Sequence, residues 1–189
     1  MTAPATVPTW KIDETDGLET AWITRTPTTL AARGRVAATR PAPYWLTYAL
    51  ETAPDFTTRR LQLTAHTPEA TRTLDLRRDD TGRWSVDGTA RPDLDGALDC
   101  DLGLSPLTNT PPVLRHGLHQ GPGERHFLMA WIRVPDLTVH PSRQTYTHLR
   151  RAADGTATVR YASGDYHADL LIDPDGLVRD YPGLAHRLG

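Results

Sequence analysis

The chain of 189 residues carries a single cysteine, Cys100. One thiol excludes an intrachain disulfide framework and a multi-cysteine zinc site, and it suits a reducing compartment. Lysine is just as scarce, since Lys11 is the only one among 21 basic residues. The formal net charge of -2 lacks the clustered basic excess of a nucleic-acid surface, so no nucleic-acid partner is expected. Arginine used almost alone, beside abundant Ala, Thr, Pro and Gly, reads as the codon usage of a high-GC bacterium. Long apolar runs are missing too. None approaches the roughly 18 residues of a spanning helix, and Met1 to Pro8 has neither the basic nor the apolar region of an export signal. The expectation is a protein of the bacterial cytoplasm, without an integral membrane segment. It should form one domain over residues 1–189, with residues 1–9 a flexible tail.

Helix signals are weak as well. The one candidate, Thr28 to Ala38, is Ala-rich but interrupted by Gly34, and reads equally as the entry to a strand. What the chain does have is 16 Pro and 14 Gly, spread so that turn signals recur every ten residues or so between segments of period-two alternation. Tyr44 to Leu50 is one such segment. Thr58 to Thr64 sets Leu61 and Leu63 on one face, and Thr71 to Arg77 does the same with Leu74 and Leu76. Phe127 to Val134 is more continuously apolar, and Thr156 to Ala162 pairs with His167 to Ile172 around Ser163-Gly164-Asp165. The fold class is therefore all-β with few or no helices, a roll or incomplete barrel. Asp79 to Gly88 and Asp173 to Gly183 share an order of turn, short strand, Asp and second turn. A duplicated half-barrel explains that likeness, and so does the frequency of Asp-Gly turns in any β protein.

Between two apolar blocks lies Asp99 to Arg115, where alternation passes into the segment Ser105 to Pro112. Proline fixes φ, and Thr and Asn can satisfy nearby backbone groups. The segment is expected to hold one shape outside any helix or ladder.

Asp99-Cys-Asp-Leu, Pro106-Leu-Thr-Asn-Thr110, Pro112 to Arg115, Gln144-Thr-Tyr-Thr147 and Gly176 to Gly183 resemble a bacterial family called putative glycolipid-binding. Gly17-Leu-Glu19, Thr58-Arg59 and Gly82 to Gly88 fit the same pattern, so the resemblance runs along nearly the whole chain. It implies a spiral β-roll built as a duplication, similar to lipoprotein carriers that shield acyl chains in a concave sheet. It carries over no ligand and no catalytic set. The family tends to have Phe where this chain has Leu107, Leu where it has Pro111, and two basic residues where it has Leu114 and Arg115. Of that basic pair only Arg115 is left to grip an anionic head group.

A concave sheet lined by Trp22, Trp45, Leu50, Leu61, Leu63, Trp131 and Ile132 would offer an apolar cavity. Asn109, Arg115, Gln144 and Tyr146 would supply the few orienting polar groups. With Trp45, Trp131, Arg59 and Asp101 these form the candidate ligand-binding set. The plainer reading is that the tryptophans fill a packed interior and the polar groups satisfy strand ends.

Chemistry has less support. His116, His119 and His126 lack the register of a metal motif, and neither a metal nor a cofactor is expected. Asp99 and Asp101 share a strand face, where one could serve as a general acid. Cys100, flanked by both, reads as a core residue. The functional expectation is binding of a hydrophobic or amphipathic small molecule, lipid- or glycolipid-like. The alternative is a cofactor-free cyclase or isomerase acting on a hydrophobic metabolite. Exposed strand edges would also permit a homodimer. Trp84 and Tyr181 read as framework.

Overall fold

The computed structural model describes residues 6–189. Its first antiparallel meander comprises β1 (Thr9–Ile12), β2 (Gly17–Arg25), β3 (Leu30–Ala38), β4 (Tyr44–Thr52), β5 (Thr58–His66), β6 (Thr71–Arg78), β7 (Trp84–Val86) and β8 (Thr89–Ala90). The second comprises β9 (Asp99–Leu102), β10 (Glu124–Ile132), β11 (Val139–Arg151), β12 (Ala157–Ser163), β13 (Tyr166–Ile172), β14 (Val178–Tyr181) and β15 (Ala185–Leu188). It is antiparallel except that β9 runs parallel to β10. The meanders join where β1 pairs with β15, Trp10 standing opposite Arg187. One sheet of 15 strands results, with β8 and β9 as its edges.

That sheet is open and curls past itself as a spiral. The Thr58 amide donates to the Leu98 carbonyl at 2.9 Å, and the Cys100 amide to Thr58 Oγ1 at 3.0 Å, so edge β9 meets β5 and not the opposite edge. Beyond β5 the strands overlap the second meander, and Arg91 donates to the Val139 carbonyl at 2.9 Å. Cys100 is buried there, where desolvation pushes its thiol up to about 12. It is a core residue, as its flanking aspartates suggested.

Alternation governs the strands. In β3 Leu30, Ala32, Val36 and Ala38 are buried while Ala31, Arg33, Arg35 and Ala37 are exposed. Period two thus overrides the helix propensity of an Ala-rich stretch, and the candidate helix at Thr28 to Ala38 is a strand. Ser105 to Pro112 departs from expectation in the other direction. A 3-10 turn at Pro106–Asn109 leads into the helix α1 (Thr110–His116). Pro111 and Pro112 fall in its first turn, where a missing N–H costs nothing, and Gly117 ends it at φ 61°. Ser105 to Val113 is buried throughout. This stretch plugs the concave side that the sequence suggested would stand open.

Residues 6–9, expected within a tail, lie against β2: Thr6 bridges Ile23, and Thr9 pairs with Thr20. Residues 1–5 of that expected tail lie outside the described residues. A second correction concerns the concave lining. Leu50, Leu61 and Leu63 do face the interior, but Trp22 and Trp45 occupy the opposite parity of β2 and β4 and stand exposed on the outer face.

Candidate ligand-binding site

The plug leaves two cavities at opposite ends of the strands. One, of about 530 Å³, opens between the β2–β3 and β13–β14 turns, with Ile23, Leu30, Phe56, Thr110, His119 and Leu177 in its wall. Arg25 crosses its rim to pair with Asp175 at 3.2 Å. The other, of about 460 Å³, opens between the β1–β2 and β14–β15 turns and gathers several of the candidate residues.

Strand β9 delivers Asp101 to this second cavity with Trp131 beside it across the parallel pair. Asn109 reaches the wall from the plug, while Tyr161, Tyr166 and Tyr181 arrive from the other meander strands. Gln144 and Tyr146, two residues apart on β11, point to the same interior face. Gln144 Nε2 donates to Asp101 Oδ2 at 2.7 Å and Thr108 Oγ1 to Oδ1 at 3.1 Å. Desolvation outweighs these bonds and raises the Asp101 carboxyl above the usual range, with Asp99 adding like charge. Tyr146 donates to Asn109 Oδ1 at 2.8 Å. Its ring lies in an aromatic run of Phe127, Tyr146, Tyr161 and Tyr181, with successive centroids 5.5, 5.4 and 6.0 Å apart. Burial raises the Tyr146, Tyr161 and Tyr181 phenols, so each remains a neutral hydrogen-bond donor.

Of the candidate set, Asp101, Asn109 and Trp131 thus line one cavity, backed by Gln144 and Tyr146. Arg115 lies close by with its guanidinium already committed. Both of its terminal nitrogens bond the buried Asp99 carboxylate, at 2.8 and 2.5 Å, and Phe127 lies 5.7 Å from its charge. With its fork turned onto Asp99 and its side chain only 8% exposed, it offers no accessible fork to a head group. Arg59 is exposed on β5, and Trp45 lies on the outer face. The three histidines part company: His116 packs on Phe127, His119 sits at the far cavity, and His126 is exposed on β10. Among the described residues no group of three or more His, Cys, Asp or Glu side chains could hold a metal ion.

Glu19 escaped the sequence reading. It is fully buried on the inward parity of β2, between Gly17 and Ala21. Tyr48 OH and Ser105 Oγ both donate to its Oε1, at 2.6 and 2.7 Å, while Oε2 is buried without a partner. Tyr48 reaches it because residue 34, opposite on β3, is glycine; a Cβ there would overlap the ring. Desolvation raises the Glu19 carboxyl to about 7. Ser105 also lines the cavity, so it links this buried acid to the site wall. A charged residue at a core position of an alternating strand was the available signal.

No helix among the described residues is long and apolar enough to cross a membrane. A family model described as putative glycolipid-binding matches residues 7–187. A crystal structure of a DUF1089 family protein from Pseudomonas aeruginosa is similar at 32% identity and a TM-score of 0.74. The similarity covers 90% of this chain and 92% of that one. A search of curated proteins finds no significant match. With an open spiral sheet and a match running almost end to end, the chain belongs to the putative glycolipid-binding family.

Proposed function

We propose that the cavity beside Asp101 binds the hydroxylated head group of an amphipathic, glycolipid-like molecule. The observation that carries this reading is the combination in one wall of a half-buried, desolvated carboxyl, an amide and several aromatic rings. Aromatic faces cover the apolar faces of a sugar ring, and Asp101, Asn109 and the tyrosine hydroxyls match its hydroxyls. Asp101, Asn109 and Trp131 touch the ligand, while Gln144 and Tyr146 fix the first two. Leu102, Leu104, Val134 and Leu184 supply the apolar part of the lining.

The test is native mass spectrometry of gently purified protein with denaturing extraction, followed by titration with octyl glucoside and with decanoate. The reading expects a copurified amphiphile, or saturable binding of the glucoside that Asp101→Asn weakens about tenfold by loss of a strong acceptor. A clean mass with no binding of the glucoside overturns it. Binding of decanoate alone assigns the site to a simple acyl chain. A second reading, a cofactor-free cyclase or isomerase, draws on the same carboxyl, because a proton donor in a desolvated aromatic pocket can polarise or protonate a substrate. An extracted ligand whose mass or chromatographic identity changes on incubation with the protein distinguishes turnover from binding.

A further inference from the structure

Seven large apolar side chains stand exposed among the described residues, and five of them, Val7, Leu18, Trp22, Trp45 and Leu188, gather on one stretch of the outer sheet face. Register puts them there. Thr6 bridges Ile23 and Thr9 pairs with Thr20, which sets Val7 against Trp22. Leu188 opposes Thr9, and Leu18, Ala37 and Trp45 form one cross-strand row. Trp22 is 50% exposed and Trp45 62%, and they wall a shallow groove of about 600 Å³.

The charges at the centre of this face are basic, and the carboxylates of Asp16, Glu51 and Asp75 stand at its margins. Arg33 stands opposite Trp22, Arg35 lies between Thr20 and Thr47, and Lys11, which pairs with Asp16 at 3.7 Å, opposes Leu18. Across β1 to β5 the three rows that contain these residues carry no carboxylate. Neither Arg33 nor Arg35 forms an ion pair with a described residue.

We propose that this outer face docks on an anionic lipid bilayer. Tryptophan favours the bilayer interface, where its ring meets acyl chains and its N–H meets head groups. Unpaired arginines beside it are drawn to anionic lipid. A second copy of the chain fits less well. A two-fold contact centred on the tryptophans would bring Arg33 and Arg35 of both copies into one interface whose three central rows hold no carboxylate. The docking face lies on the other side of the sheet from the plug and does not depend on what the cavity binds.

The experiment is co-sedimentation and tryptophan fluorescence of the full chain. The probes are vesicles of phosphatidylcholine alone and of phosphatidylcholine mixed with phosphatidylglycerol. The proposal expects binding to the mixed vesicles, a blue shift of emission, quenching by lipids brominated on the acyl chain, and little binding to the neutral vesicles. Arg33→Gln with Arg35→Gln should weaken binding about fivefold for each residue, and Trp22→Ala with Trp45→Ala about tenfold for each. All four side chains are solvent-facing, so thermal melts check that the variants fold. If the tryptophan variant fails that check, the arginine variant and quenching of the unmodified chain still decide. Absence of binding to mixed vesicles, or binding untouched by the arginine and tryptophan changes, overturns the proposal. So does a blue shift without vesicles that vanishes on dilution, which would assign the face to self-association.

Discussion

The two meanders share a strand count to within one and a common antiparallel plan, yet their interiors are built from different chemistry. The first turns leucine inward: Leu30, Leu46, Leu50, Leu61, Leu63, Leu74 and Leu76 are all buried. The second turns inward Phe127, Gln144, Tyr146, Tyr161 and Tyr181, and β9 adds Asp99 and Asp101. A leucine face needs only shape complementarity, whereas each inward polar group must find a partner or a cavity. The first meander can therefore serve as scaffold, and the second both requires and presents a site. The plug joins them, with Ser105 bonded to Glu19 on one side and Asn109 to Tyr146 on the other.

The largest expected effects separate the two ways of holding such an interior. Trp84, buried on β7 with its Nε1 donating to the Ala97 carbonyl at 3.0 Å, should cost about 3–5 kcal/mol when changed to Ala, mostly from lost packing. Arg115→Ala in the second half should cost a similar ~3–5 kcal/mol for a different reason, because it strands the Asp99 carboxylate in the interior. Denaturant unfolding separates the causes. Adding Asp99→Asn should restore part of the Arg115→Ala loss and none of the Trp84→Ala loss. Little destabilisation from Arg115→Ala would return that residue to the ligand-binding set and blur the contrast.

How far this was legible follows from where alternation speaks. Leu61, Leu63, Leu74 and Leu76 were placed on one buried face from spacing alone, because a strand's side-chain period admits no other assignment once one residue is fixed. Trp22 and Trp45 show the limit of hydrophobicity as a guide: it argues for the interior, but their strand neighbours occupy the inner face and parity puts both rings outside. The helical plug was missed because prolines read as breakers, although in a first turn they are tolerated. Asp101 and Asn109 were named as candidates and do share a cavity wall. Arg115 was named for its charge, but its partner Asp99 lies 16 positions away, and only folding shows which carboxylate claims a cation.

Glu19 tests the contrast from inside the first meander, as a carboxylic acid on a side where leucine predominates and Tyr44 and Tyr48 are the other inward ionisable groups. Its carboxyl rises from 4.5 to about 7 on folding, chiefly by desolvation against the Tyr48 and Ser105 hydrogen bonds that favour the charged form. A raised carboxyl means that the folded chain holds the proton longer than the unfolded one. Its contribution is fully present below about pH 4.5 and is lost as pH rises through about 7, a change of about 3 kcal/mol. Tyr44, raised to about 12 by burial and by Glu14 and Glu19, stays neutral across that window. The prediction is that the stability of the unmodified chain relative to Glu19→Gln falls between about pH 4.5 and 7 in thermal melts and levels off above that. A parallel pH profile for the two proteins would mean that Glu19 is hydrated and that the first interior is wetter than its leucines suggest.

The smallest effect concerns the joint between plug and aromatic run. Tyr146→Phe keeps the ring, and with it the edge-on contacts to Phe127 and Tyr161, but removes the hydroxyl that fixes Asn109 Oδ1. Asn109 Oδ1 then loses its donor at a position that is 5% exposed, and the expected loss of stability is only about 1 kcal/mol. Because Asn109 lines the cavity and keeps only the 3.2 Å bond from its Nδ2 to the Pro106 carbonyl, its oxygen is then left to a ligand hydroxyl. The variant should therefore change glucoside affinity by more than its stability loss implies. Equal, small changes in both would make the bond a strut of the plug with no part in recognition. A stability loss of several kcal/mol would show that the second interior depends on its polar pairs as heavily as the first depends on its packing, and the division between scaffold and site would fall.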